Sequence, residues 1–234
     1  MAHQGLTLAL AALLLAGCPA PVDLTPPRPL PSATAPVAAA LPAFNAGKWG
    51  DFVSPRFGLQ LILPDGRAWS IDDHGSAWLV ARHAPTGSEL ALRTWREDGS
   101  AHRVRCEEEA RLWRKLPEKE GADLVEQRAV NVPPDFDTRV EVGVVTPLPG
   151  ARGAKATSTG IRGFVLAFGG KAHRCFAYVF STRAEGPGAE QAVGERLATM
   201  VQGSLEKIRL RNDLDPTLPL EPLPAELPGV PPPR

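Results

Sequence analysis

The chain has 234 residues, 43% of them apolar, with 26 Lys plus Arg against 26 Asp plus Glu and no formal net charge at pH 7. That length is enough to bury a proper core, and the balanced charge excludes the positive field by which a protein collects nucleic acid or an anionic membrane surface. Of the 25 prolines, eight fall between Pro19 and Pro42 and eight between Pro216 and Pro233, so one domain over residues 44–211 is expected between two proline-rich ends.

The first feature along the chain is the apolar run from Leu6 to Ala16, about eleven residues. It is too short to span a bilayer core and fits the apolar region of a signal peptide. Leu15, Ala16, Gly17 and Cys18 follow as L-A-G-C. This resembles the lipobox of bacterial lipoproteins. The resemblance implies that residues 1–17 are a signal peptide and that Cys18 is acylated and becomes the first residue of the mature chain. The membrane is then the chain's partner through that anchor. Two or three acyl chains hold a protein stably, because each buried methylene contributes about 0.8 kcal/mol. Pro19, in place of the aspartate that in some bacteria retains lipoproteins on the inner membrane, points by the same resemblance to the outer membrane.

Residues 18–43 lack hydrophobic periodicity and are rich in Pro and Ala, which predicts an extended, partly polyproline II tether reaching on the order of 70 Å. Residues 212–234 have a similar composition and are expected to be a disordered tail.

Within the domain, Phe57, Leu59, Leu61 and Leu63 alternate as in a strand, and Pro64-Asp65-Gly66 reads as a turn. The runs "AWLVARH" and "SELALRTW", joined by Ala84-Pro85-Thr86-Gly87, predict a hairpin, with His83 at the sheet surface. A helix is expected over 100–116 with Ser100 as its cap. It carries Cys106, Ala110, Trp113 and Leu116 on one stripe and opposite charges four apart on its exposed side. That explains the triple glutamate at 107–109 without invoking a catalytic cluster. Strands follow in "DLVEQRAVNV" and "DTRVEVGVV". The polar loop 147–160 is long enough to be a contact loop. Two strong strands then appear to either side of Gly169-Gly170, a hairpin signal. Phe176, Tyr178 and Phe180 alternate with Cys175, Ala177 and Val179, so that strand is covered on both faces. The last element is a helix carrying Val193, Leu197, Met200, Val201, Leu205 and Ile208 on its apolar side, with charges opposite.

Strands, helix, strands and helix in that order, with tight hairpins, predict an α+β domain: a mainly antiparallel sheet packed between two helices. This order resembles the α/β/α sandwich of the PsbP-like fold. The resemblance implies a binding or assembly factor rather than an enzyme.

Three constellations invite chemistry. With Cys18 set aside, Cys106 and Cys175 remain, and an exported chain meets oxidising conditions, so the pair is expected as a disulfide. The alternative is metal: His102 with Cys106 on a helix and His173 with Cys175 on a strand would present a Cys2His2 set suited to zinc. In "DDHGSAW", Asp73, His74 and Ser76 suggest a hydrolase, but Trp78 stands where a nucleophile elbow needs its second glycine. Gly169-Gly170-Lys171 lacks the rest of a phosphate loop.

The expectation is therefore a membrane-anchored envelope lipoprotein acting as a non-catalytic binding or assembly component for an envelope protein, with no cofactor. The alternatives are an envelope hydrolase using His74 or His173, and a zinc-binding protein using His102, Cys106, His173 and Cys175.

Overall fold

A computed structural model describes residues 40–45, 47–114, 116, 117, 119, 121–133, 135–146 and 160–210. Cys18, the tether before residue 40, loop residues 147–159 and the tail from 211 lie outside the described residues.

The strands are β1 (Trp49–Ser54), β2 (Leu59–Pro64), β3 (Trp69–Asp72), β4 (Leu79–His83), β5 (Ser88–Arg96), β6 (Asp123–Val132), β7 (Phe136–Val145), β8 (Ile161–Lys171), β9 (Arg174–Ala184) and β10 (Arg209–Leu210). Among the described residues there are two α-helices, α1 (Arg103–Trp113) and α2 (Ala189–Gly203). Seven strands form one sheet in the order β3-β4-β5-β9-β8-β7-β6, and β1-β2-β10 form a second. All the pairings are antiparallel.

This β-rich arrangement corrects the expected helix-flanked α/β/α sandwich and its PsbP-like reading. The alternating leucines of β2 do form a strand, but one that belongs to a separate small sheet. Leu59, Leu61 and Leu63 join Leu79, Leu90, Phe176, Tyr178 and the α2 residues Val193, Leu197 and Met200 in the larger apolar cluster. A second sheet thus shares one face of the large sheet with α2. Alternation shows which face of a strand is buried, but not which sheet the strand joins.

The opposite face holds a smaller cluster in which α1 contributes Cys106 and Ala110 against Leu166, Ala177 and Val179. Trp113 packs edge-on to Trp95 with ring centroids 4.9 Å apart, and the Arg93 guanidinium lies 3.9 Å over its ring. Glu97 ties this corner together, accepting from Trp95 Nε1 at 2.7 Å and from Arg105 Nε at 2.9 Å. The helix begins later than expected: His102 occupies the cap position and makes no side-chain capping bond.

Two glycine positions also differ from expectation. Gly169 and Gly170 lie inside β8, and the hairpin turns instead at Ala172 and His173, with Lys171 opposite Arg174. A Cβ on Gly170 would stand 2.6 Å from the Ala101 carbonyl oxygen, so this glycine admits the chain entering α1. The last helix stops at Gly203, short of the expected run through Leu210. There Trp49 of β1 lies where a side chain would project. Leu205 and Ile208 are nevertheless buried, in the 3-10 turn Leu205–Lys207 and the extended residue that leads to β10.

Candidate functional site

The structure separates the residues that invited a triad. His74 is exposed, with Nδ1 against the Asp73 carboxylate. Asp73 turns its other oxygen inward to accept from buried Ser54 Oγ at 3.0 Å. Ser76 Oγ donates to the Trp78 carbonyl at 2.7 Å and accepts from the Trp78 amide at 3.1 Å. It therefore closes a local turn, bonded to the Trp78 backbone and not to His74. The neighbouring Asp72 carboxyl is held below its ordinary range by the amides of Gly75 and His74, which marks it as a turn-forming group.

His173 stands on the β8–β9 turn, exposed, with Nδ1 2.8 Å from the Gly99 carbonyl oxygen. The segment entering α1 runs beside this turn: the Glu97 and Ala101 amides donate to the His173 and Ala172 carbonyls at 2.7 and 2.6 Å. Topology thus brings His102, Cys106, His173 and Cys175 to one junction. Cys106 and Cys175, however, are joined in a disulfide with Cα atoms 5.4 Å apart, so neither sulfur is a thiolate able to ligate a metal. Among the described residues no three His, Cys, Asp or Glu side chains converge as a metal site.

The most developed polar constellation lies elsewhere, and it centres on His83. The sequence reading placed this residue at the sheet surface without a partner. It is in fact fully buried, because the turn after β2 and the chain before β1 fold over the end of β4. Its Nδ1 lies 2.8 Å from Thr86 Oγ1, and its Nε2 lies 3.4 Å from Asp65 Oδ2. Thr86 Oγ1 is 2.7 Å from Ser88 Oγ, which donates to Thr182 Oγ1 at 2.8 Å. Arg196 Nη1 donates to the same Thr182 oxygen at 3.1 Å. Four side chains, His83, Thr86, Ser88 and Thr182, therefore link Asp65, on a turn, to the Arg196 guanidinium on α2.

The proton directions along this chain are constrained. Ser88 spends its one hydroxyl proton on Thr182, so Thr86 donates to Ser88, and His83 donates from Nδ1 to Thr86. Neutral His83 then faces Asp65 with a lone pair, and only the imidazolium carries a proton toward the carboxylate. Burial pushes the His83 pKa below its ordinary value; Asp65 opposes that shift and the charge on Arg196 adds to it.

Arg196 is 3% exposed. Its guanidinium donates to the Arg183 carbonyl at 2.8 Å and the Pro42 carbonyl at 2.5 Å, and burial lowers its pKa. Its sequence signal was present: position 196 falls three residues after Val193 and four before Met200, inside the apolar stripe. The charge of the residue hid it. The chain over residues 41–44 completes the site. Phe44 packs edge-on to His83 with centroids 5.0 Å apart and lies 5.8 Å from Trp69, and Leu41 packs on the main core.

No protein-family model matches the chain, and no curated protein matches it. A crystal structure from Bacteroides thetaiotaomicron VPI-5482, solved at 1.50 Å resolution, is similar in part, with 12% sequence identity and a TM-score of 0.38. The match covers 70% of this chain and 48% of that one, so this chain spans about half the length of that protein.

Proposed function

We propose that the chain is an envelope lipoprotein, anchored through Cys18, whose β-rich domain acts as a non-catalytic binding or assembly module. The observation that carries the reading is the Cys106–Cys175 disulfide. A single structural disulfide suits an oxidising compartment, and it leaves Cys18 as the one remaining cysteine of three. The L-A-G-C sequence supports acylation at that position. The candidate catalytic histidines favour binding over hydrolysis. His74 and His173 lie on different connections, one against a carboxylate whose second oxygen holds Ser54 and the other against a backbone carbonyl.

Two measurements test this reading. In cells fed labelled palmitate, the chain incorporates label and the Cys18→Ala variant does not; equal labelling of both refutes the anchor. Crosslinking in intact cells is expected to capture an envelope protein, and capture should survive replacement of His74 and His173 by alanine. A hydrolytic activity lost with either histidine would instead establish the enzyme reading.

A further inference from the structure

The geometry points to a proton-operated clasp: uptake of a proton by His83 releases residues 41–44 from the domain while the two sheets stay folded. This goes beyond the envelope reading and does not depend on it.

The strap at 40–45 is the least secured part of the cluster's cover. It belongs to neither sheet nor helix. Leu41 and Phe44 are only half-buried, and Pro42 and Ala43 are exposed. What holds it is the Arg196 bond to the Pro42 carbonyl, the seat of Phe44 on His83, Trp69 and Phe180, and the contact of Leu41 with the core. Segments with few buried contacts open at low cost. At the strap's end Asn45 is tied into a turn, its carbonyl accepting from the Lys48 amide at 3.0 Å. Opening therefore stops there and leaves β1 in place.

Protonation acts on the strap through two of these contacts. The ionisable groups facing His83 are Asp65, from the turn after β2, and Arg196, from α2. The strap brings Leu41, Pro42 and Phe44; β3 brings Trp69, and β9 brings Phe180 and Thr182. None of these side chains ionises. A proton on His83 places a second cation in a buried cluster that already contains the Arg196 guanidinium, with one carboxylate at 3.4 Å to answer both. A buried charge that is incompletely paired is costly and is relieved by admitting water. Phe44 is the ring seated on His83, so moving the strap is the direct way to let water in. Asp65 stands ready for the new Nε2 proton. Among the described residues it is also one of three non-glycine residues with positive φ, at 54°, a conformation that Asp tolerates. At polyproline-like extension the freed segment adds about 15 Å of reach between the domain and residue 40.

The test is a proton NMR titration of the full-length chain between pH 7.5 and 4.5, read at the Phe44 and His83 rings, the Leu41 methyls and the amides of β8 and β9. The expected result is loss of the Phe44–His83 nuclear Overhauser effect and a shift of the Leu41 methyls, both with the midpoint of His83 ring protonation, while the β8 and β9 amides stay unchanged. In the His83→Gln variant the strap signals should not move over the same range. Persistence of the Phe44–His83 contact after His83 has titrated overturns the clasp, and so does strap release only together with loss of the β8 and β9 amides. If the variant fails to fold, the wild-type titration decides by itself.

Discussion

Gly194 and Gly170 show how much a single missing side chain decides here. Gly194 is exposed inside α2, and a Cβ added there meets no atom within 4 Å. Gly194→Ala is expected to stabilise by about 0.5–1 kcal/mol, because the helix loses an entropic cost and gains no clash. Gly170 faces the backbone of Ala101 and His102, which cannot move without dragging the start of α1. Gly170→Ala is expected to destabilise by about 1–3 kcal/mol. Urea unfolding of the two variants checks both signs, and like signs would show that the close approach at Gly170 is unimportant. The buried phenol of Tyr178 belongs to the same scale. Burial raises its pKa well above the ordinary value, while Ser204 beside it pulls the other way. Its contribution to stability is therefore complete below pH 10 and fades as the unfolded chain ionises above it.

Among the elements, α1 is the one most dependent on a covalent link. It has eleven residues, of which Cys106 and Ala110 are buried, too short for stability by propensity alone. The disulfide fixes it to β9, the central strand, across a sequence separation of 69. In the chain-entropy model such a closure contributes about 4 kcal/mol. The double variant Cys106→Ala with Cys175→Ala is expected to lose about 2–4 kcal/mol, read as a lower urea midpoint. Hydrogen exchange should rise first in α1 and the segment 97–102. An unchanged midpoint would mean that the Trp95, Trp113 and Arg93 packing holds the helix unaided. At the sheet's far edge, β6 is exposed along most of its length and carries a bulge between Leu124 and Glu126. A bulged, charged edge resists pairing with a foreign strand.

For the whole molecule, the buried polar cluster makes stability depend on pH. The His83 pKa is lowered in the folded state, so its share of stability is complete above the ordinary value of about 6.5. As pH falls below that value the unfolded chain binds a proton that the folded chain does not, and stability declines until the folded pKa is passed. Asp72, whose pKa lies below its ordinary 3.8, contributes in a separate window, lost only in stronger acid. Unfolding free energies measured every half unit between pH 5 and 7.5 should decline on the acid side for the wild type and decline less for His83→Gln. Equal slopes would remove His83 from the account.

Much of this organisation was legible in the sequence. The alternation in β2 marked a strand and its buried face, because side chains in a strand take opposite sides at every step, and the apolar runs of β4, β5 and β9 beside their turn residues marked three more strands. The cysteine count pointed to the pair that the structure joins, since setting Cys18 aside leaves two thiols. What the residues could not show was pairing and approach. Two leucine-rich strands look alike whether they share a sheet or face one another, so the separate β1-β2-β10 sheet appeared only in three dimensions. Gly169-Gly170 read as a turn when it is a place of close contact. His83 and Arg196 read as surface groups because their polarity suggests water, yet what buries them includes distant partners, Asp65 for His83 and the Pro42 and Thr86 carbonyls for Arg196. Periodicity is local and was determined by the sequence alone. The burial of a polar group depends on distant segments meeting around it, and only the tertiary structure decided that.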